Sequence, residues 1–372
     1  MLLLLKSIYG LKQAPRCWID KFSKFLEEEV NLERSQMDPS LYMGFVGSHF
    51  VILALYVDDG LLIAESMDIV DDVLRIIERA FEITQGAPTT YVGLDIQREG
   101  ERGAISISQA GYVKELLSRF NMEDCNPCSV PMQPYAELLP AEKGVEDLPY
   151  RQLIGALLFL AKCSRPDISF AVSKLSQFLT CHDESHWKAA KNVLRYLKGT
   201  MDLGITYQSG GDLDLEGFSD SDYAGDKIQR KSTSGVVVML NGAIVSWSSQ
   251  KQSCVALSST EAEYVAAASA AREVVWIRNL LRELRVEQSH PTTLWVDNQS
   301  AIRLVKNPEM HSRTKHIDVR YHYIRDQVEG QEIRIEYVST LDQLADGLTK
   351  PLLKGKLEDN RKQLKIEAID AF

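Results

Sequence analysis

Residues 213–224 run from Leu213 through Gly217, Phe218 and Asp220 to Ala224, and they alternate apolar and polar side chains as far as Phe218 before presenting an acid. That period of two predicts a half-buried strand with Asp220 at its end. An aspartate closing a strand is most often turn chemistry. Here three later acids sit at similar junctions: Glu263 near the start of an alanine-rich helix, Asp297 at the end of an apolar strand, and Asp346 early in a last short helix. Carboxylates gathered from separate elements repel one another unless cations lie between them. A fold that brings all four together therefore predicts a site for two hard metal ions.

Each acid also has a local explanation. Ser258-Ser-Thr-Glu261 and Thr260-Glu-Ala-Glu263 both fit a capping box, so Glu263 reads equally well as a capping acid or as a ligand, and Glu261 is available to cap instead. Asp297 reads equally well as the N-cap of a helix over 300–305. Asp346 would sit favourably at the positive end of its helix dipole with no metal at all.

The rest of the chain predicts a mixed α/β protein. Apolar residues recur at helical spacing over Ile19–Val30, and the apolar runs Phe50–Tyr56 and Leu61–Ala64 flank Val57-Asp58-Asp59-Gly60, where Asp-Gly predicts a hairpin turn. Thr90–Ile96 and Ile105–Ser108 read as strands and Tyr112–Phe120 as an amphipathic helix. A Pro-bearing linker follows, and residues 148–200 are helical by pattern, with Leu153, Ala156, Leu157 and Leu160 on one face. Lys188, Lys191, Arg195 and Lys198 line another helical face, as either a solvated surface or a stripe that tracks phosphates. Beyond Asp220, Gly235–Leu240 and Ala243–Trp247 flank Asn241-Gly242, the signature of a type I′ hairpin.

At 372 residues, 45% of them apolar, the chain has room for two or three packed domains. Its net charge of −10 excludes a protein that coats nucleic acid by bulk charge, so any such binding must come from local basic clusters. Six scattered cysteines, with only Cys125 and Cys128 closely spaced, provide neither a disulfide framework nor a four-ligand zinc site. Met1–Leu5 is too short for a signal sequence or a membrane span. The expectation is a soluble intracellular protein that does not bind membranes.

Four ordered motifs carry a resemblance: Gly217-Phe-Ser-Asp220, Ser259-Thr-Glu-Ala-Glu263, Trp295-Val-Asp297-Asn and Gln343-Leu-Ala-Asp346-Gly-Leu-Thr-Lys350. Together they resemble the ribonuclease H domain of copia-type LTR retrotransposon polyproteins. Upstream, Lys6-Ser-Ile-Tyr-Gly-Leu-Lys-Gln-Ala-Pro-Arg16 and Tyr56-Val-Asp58-Asp59 are similar to the reverse transcriptase of the same elements. The resemblance implies an α/β (α+β) fold: a partial reverse-transcriptase palm over 1–124, a linker over 125–145, a helical thumb or connection over 146–204, a ribonuclease H-like domain over 205–352 with a five-stranded mixed sheet and flanking helices, and a tail over 353–372.

The activity implied is two-metal hydrolysis of the RNA strand of an RNA–DNA hybrid, with Asp220, Glu263, Asp297 and Asp346 holding two Mg²⁺ (or Mn²⁺) ions. Lys227, Arg230, Lys231, Arg313, Lys315 and His316 are the implied phosphate contacts. The family's loop histidine is missing from Val338-Ser-Thr-Leu-Asp342, which implies slow turnover. Asp58 and Asp59 match a polymerase position whose partner strand lies upstream of this sequence, so polymerisation is not expected of this chain alone. A catalytically dead nucleic-acid-binding relic and an RNA-directed DNA polymerase are the competing expectations. The implied partners are the hybrid and the rest of Pol or an oligomer, in cytoplasmic particles or the nucleus.

Overall fold

The computed structural model describes residue 8 and residues 10–100, 103–134, 138–142, 147–306 and 318–369. The chain forms two compact units, Met1–Val92 with Asn279–Val286, and Gly93–Arg278 with Glu287–Phe372. Both mix helices with sheets. No helix among the described residues is long and apolar enough to cross a membrane.

In the first unit, helix α1 (Ala14–Phe25) runs into a wide π turn over Leu26–Val30, and Asn31 ends it in the left-handed conformation at φ 63°. An antiparallel sheet follows in the order β1 (Leu32–Arg34), β2 (Leu41–Val46), β3 (His49–Tyr56) and β4 (Asp59–Ile63). Helix α2 (Met67–Glu78) and the short strand β5 (Thr90–Tyr91) complete the unit. Phe22, Leu26, Tyr42, Val51, Leu53, Val73 and Ile77 form its core. The predicted hairpin is present, but its turn is not Asp59-Gly60. Tyr56 pairs with Asp59 and Leu55 with Gly60, which leaves Val57 and Asp58 as the two-residue loop. Val57 takes φ 57°, a strained conformation for a β-branched residue, and its carbonyl accepts a 2.8 Å hydrogen bond from the Trp18 indole.

The second unit opens with β6 (Leu94–Arg98), β7 (Ile105–Ser108) and α3 (Ala110–Arg119). The predicted strand through Thr90–Ile96 is broken because Val92 and Gly93 both take positive φ. Helices α4 (Tyr150–Cys163), α5 (Ser169–Ser176) and α6 (Glu184–Lys198) then pack around Leu153, Leu157, Leu160, Val172, Leu194 and Leu197. Where α4 turns into α5, the buried Arg165 grips Asp167 through two hydrogen bonds of 3.0 and 2.8 Å, and Tyr196 of α6 donates to the same carboxylate at 2.6 Å. A buried ion pair satisfied this fully holds three helices in one arrangement.

The basic face of α6 is partly taken up within the fold, while Lys188 stays exposed. Arg195 donates to the Asn126 carbonyl at 2.7 Å, Lys198 to the Cys125 carbonyl at 2.8 Å, and Lys191 lies over the Trp187 ring. Arg195 and Lys198 thus clamp the linker backbone against the helix.

Strand β8 (Leu203–Tyr207) precedes the mixed sheet that carries the acids. Its strands are β9 (Leu215–Asp222), β10 (Thr233–Leu240), β11 (Ala243–Lys251), β12 (Thr292–Val296) and β13 (Ile333–Tyr337), in the order β11-β10-β9-β12-β13. The first three run antiparallel, and β9, β12 and β13 run parallel. Asn241 and Gly242 both take positive φ, as a type I′ turn demands. Helices α7 (Ser259–Glu283), α8 (Gln299–Lys306) and α9 (Asp318–Glu329) belong to the crossovers. Residues 354–368 form no loose tail: helix α10 (Lys354–Gln363) leads into β14 (Ile366–Ala368), which joins a second antiparallel sheet in the order β14-β8-β7-β6.

Strand β9 departs from the half-buried expectation. As the central strand it is buried on both faces from Gly217 to Ser221, and it extends past Asp220 to Asp222. Two glycines make that possible. A methyl group at Gly217 would lie 2.9 Å from the Val274 side chain of α7, and one at Gly235, opposite Asp220, would lie 2.7 Å from the Ala345 carbonyl and 2.8 Å from the Thr349 methyl. Gly235→Ala is expected to push the turn around Asp346 off the sheet and to cost about 1–3 kcal/mol, the usual penalty of overpacking. Urea denaturation measures that cost.

Candidate active site: an acid cluster on the central strand

Asp220 is 5% exposed, and its Oδ2 accepts a short hydrogen bond from the Thr349 hydroxyl. Glu263 reaches across from the second turn of α7. Its Oε1 accepts from the Ser221 backbone N–H at 3.3 Å, while its Oε2 is buried with no hydrogen-bond partner. Asp297 follows β12 directly, and its Oδ2 accepts from the Thr340 hydroxyl at 2.8 Å. One carboxylate oxygen from each of these three residues lies within 4.8 Å of the other two.

The capping alternatives resolve against a purely local role. Ser258 accepts from the Glu261 N–H, and the Glu261 carboxylate accepts from the Leu257 N–H, so Glu261 caps α7 and Glu263 is left over. Asn298, not Asp297, caps α8 by accepting from the Ala301 N–H at 3.0 Å.

Asp346 stands slightly apart. It lies in a 3₁₀ turn over Leu344–Leu348, is 4% exposed, and pairs with Lys350 at 2.9 Å. Its charge still bears on Asp220, but it is not one of the three acids whose oxygens converge. Thr349 and Lys350 escaped the sequence reading as site residues, although they lie three and four positions after Asp346, where a helical turn stacks them beside it. Gln252 escaped it too: its amide donates to Ser221 Oγ, Ser234 Oγ and the Ala262 carbonyl, tying β9, β10 and α7 together beneath the site.

Burial and mutual repulsion shift these acids. Loss of water, opposed by the Thr349 hydrogen bond and reinforced by Asp346, raises the Asp220 carboxyl to about 6. Loss of water, then the charges of Asp220 and Asp297, push Glu263 up to about 9. Burial works against the Lys350 ammonium, but Asp346, Asp220 and Asp297 outweigh it and hold its pKa above the ordinary lysine value. Two buried carboxylates and a half-buried one this close, with an orphaned oxygen on Glu263, suit a divalent ion held by oxygen ligands.

The remaining candidates fall differently. Lys227, Arg230 and Lys231 lie in the loop between β9 and β10, with Lys227 and Arg230 exposed. That loop is shaped by Asp226, which accepts from the Ile228 and Gln229 N–H groups and pairs with Lys251. Arg313, Lys315 and His316 lie outside the described residues. Asp58 and Asp59 sit exposed at the first unit's hairpin. Among the described residues the only group of three potential metal ligands is Asp220, Glu263 and Asp297.

Residues 1–134 match the family described as reverse transcriptase (RNA-dependent DNA polymerase). The chain is 39% identical over 363 residues to a retrovirus-related Pol polyprotein from transposon TNT 1-94 of Nicotiana tabacum, covering 95% of this chain and 27% of that one. It is 41% identical over 350 residues to the Pol polyprotein from transposon RE2 of Arabidopsis thaliana, covering 93% and 24%. A putative transposon Ty5-1 protein of Saccharomyces cerevisiae is 33% identical over 273 residues, covering 72% of this chain and 87% of the yeast protein. The chain belongs to the copia-type retrotransposon Pol family. It spans about a quarter of the length of the plant polyproteins it matches. Among solved structures, a compost-derived RNase H1 aligns at TM-score 0.26 and 13% identity over 37% of this chain and 93% of its own, and the prototype foamy virus protease–reverse transcriptase at 0.27 and 13% over 93% and 40%.

Glu263 dominates the pH response of the metal-free protein above the range in which Asp220 titrates. The folded chain keeps this proton up to about pH 9, whereas the unfolded chain releases it near the ordinary value of 4.5. The folded state therefore binds more protons across that window, and its stability falls as pH rises through it. Glu263→Gln is expected to flatten the decline and to raise the thermal midpoint at alkaline pH. Scanning calorimetry in chelator between pH 5 and 9 reads both.

Proposed function

We propose that residues 205–352 cleave the RNA strand of RNA–DNA hybrids in a metal-dependent hydrolysis. The reading rests on one observation above all: Asp220, Glu263 and Asp297 converge within 4.8 Å from three separate elements, and a buried Glu263 oxygen is left without a partner. Asp220, Glu263, Asp297 and Asp346 would hold two Mg²⁺ or Mn²⁺ ions, whose chemistry is to acidify the attacking water and to stabilise the leaving oxygen.

The chain's own residues prepare that chemistry. Asp220 occupies the middle of the cluster, and the Thr349 hydroxyl fixes which way its carboxylate faces. Thr340 does the same for Asp297, from the loop where the family's histidine is missing. Glu263 must lose its proton before it can act as a ligand, so metal affinity rises with pH. Lys350 balances Asp346 while no metal is bound. No protein nucleophile is needed. RNA would be chosen through its 2′-hydroxyls and the shape of the hybrid, with Lys227, Arg230 and Lys231 meeting phosphates.

The test is a labelled hybrid incubated with the full chain and Mg²⁺. Cleavage is expected in the RNA strand only. It should stop with chelator and fall to background in Asp220→Asn and Asp297→Asn, while the RNA-only duplex stays intact. A hybrid that is bound but uncut, with Asp297→Asn indistinguishable from the parent, would establish the binding-relic reading instead. Polymerisation is the second reading, favoured by the Asp58-Asp59 hairpin within the reverse-transcriptase match. Primer extension on an RNA template, lost in Asp58→Asn, would support it.

A further inference from the structure

Beside the acid cluster lies a cavity of about 450 Å³, walled on one side by α5 and on the other by the β9–β10 loop and the segment Thr349–Pro351. Thr349 and Lys350 belong to both places: they touch Asp220 and Asp346, and they also line the cavity. The cavity therefore shares two residues with the surroundings of the acid cluster, although none of the four acids lines it.

Its charge is of the opposite sign to theirs. Lys174, Lys227, Lys251 and Lys350 line it against Asp222 and Asp226. Asp226 is already taken up by Lys251 and by two backbone N–H groups. Lys350 is engaged by Asp346. Lys174 differs from these. It projects from α5, is half-buried, and its ammonium makes no hydrogen bond or ion pair with any described residue. Burial away from water lowers its pKa, opposed by the charges of Asp226 and Asp222 and reinforced by that of Lys251, and neither acid is within hydrogen-bond reach of the ammonium. A half-buried ammonium without a hydrogen-bond acceptor is costly, and an arriving anion would remove that cost.

We infer that this cavity is a phosphate subsite for the nucleic-acid backbone, with Lys174 as its central contact. The inference rests on the nuclease reading and names what holds the substrate beside the cut. A strand whose scissile phosphate lies at Asp220 passes Thr349 and Lys350, and a neighbouring phosphate then enters the cavity, where Lys174 meets it. The contact is to the backbone, so it tightens binding without reading sequence. It also gives the helical region before the sheet a direct part in substrate binding.

The experiment measures equilibrium binding of a fluorescein-labelled RNA–DNA hybrid by the full chain over a range of salt concentrations, with Ca²⁺ present. For Lys174→Gln the slope of log affinity against log salt is expected to become shallower by about 0.9, and affinity to fall about fivefold at about 0.15 M salt. Lys174→Arg should restore both, since a guanidinium also meets a phosphate. Mg²⁺ affinity, read by calorimetry without nucleic acid, should not change, which separates loss of an anion contact from damage to the acids. If the parent chain binds and cleaves the hybrid but Lys174→Gln keeps the same slope and affinity, the subsite is refuted and the nuclease reading stands. If the parent chain binds no hybrid, both fall.

Discussion

Three converging acids, two of them buried, with a fourth beside them, are the physical fact to which the second unit answers. Asp220, Glu263 and Asp297 point oxygens at one another, and Asp346 adds its charge from the flank. Left to themselves, such groups would spread apart or keep their protons. The structure shows the second response in the raised carboxyls of Asp220 and Glu263, and a partial remedy in Lys350, which stands among the acids as a built-in cation. What the protein spends in metal-free stability is kept as readiness for a divalent ion. This is how a site can be made before its ligand arrives.

Such crowding survives only because the surroundings leave the acids no freedom to separate. Strand β9 is clamped between β10 and β12, and α7 lies so near that only glycine fits at position 217. On the neighbouring strand Gly235 lets the turn carrying Asp346 and Thr349 settle onto the sheet. Gln252 and Gln343 add further ties: the Gln343 amide donates to the Ser219 carbonyl at 3.0 Å, and Gln252 joins the strand to β10 and α7. The acids are thus placed by backbone packing and by amides that never touch a ligand themselves. A few tenths of an ångström at either glycine would be felt at the carboxylates, because a close-packed interior has no slack to absorb it.

The helical layer ahead of the sheet is organised by a different kind of polar contact. Arg165, Asp167 and Tyr196 are buried and mutually satisfied, and Arg195 and Lys198 bind the linker's carbonyls. A run of lysines and arginines on a helix looks like a nucleic-acid surface, yet two of the four here are bound to the linker. The reverse holds for Lys174, which belongs to no basic run and has the least occupied ammonium beside the site. Counting charges along a helix measures availability poorly; counting the partners of each charge measures it better.

Much was legible from order and spacing alone. The four acids, the Asn241-Gly242 hairpin, the antiparallel run of three strands and the capping role of Glu261 all follow from local rules: period two in strands, positive φ at a type I′ turn, and the reach of a side chain at a helix start. Local rules also failed where a neighbour decided the outcome. The turn at Asp59-Gly60 moved to Val57-Asp58 because strand pairing, with Trp18 bonded to the Val57 carbonyl, set the register. Strand β9 was expected to be half-buried, yet its polar residues are enclosed, since no pattern within one segment reveals that other elements will cover both faces. The sequence by itself determined which residues could bind a cation, because chemistry belongs to side chains. Only the tertiary structure decided that Asp220, Glu263 and Asp297 meet while Asp346 stays with Lys350, because a distance between residues far apart in the chain is set by packing and is written in no single stretch of it.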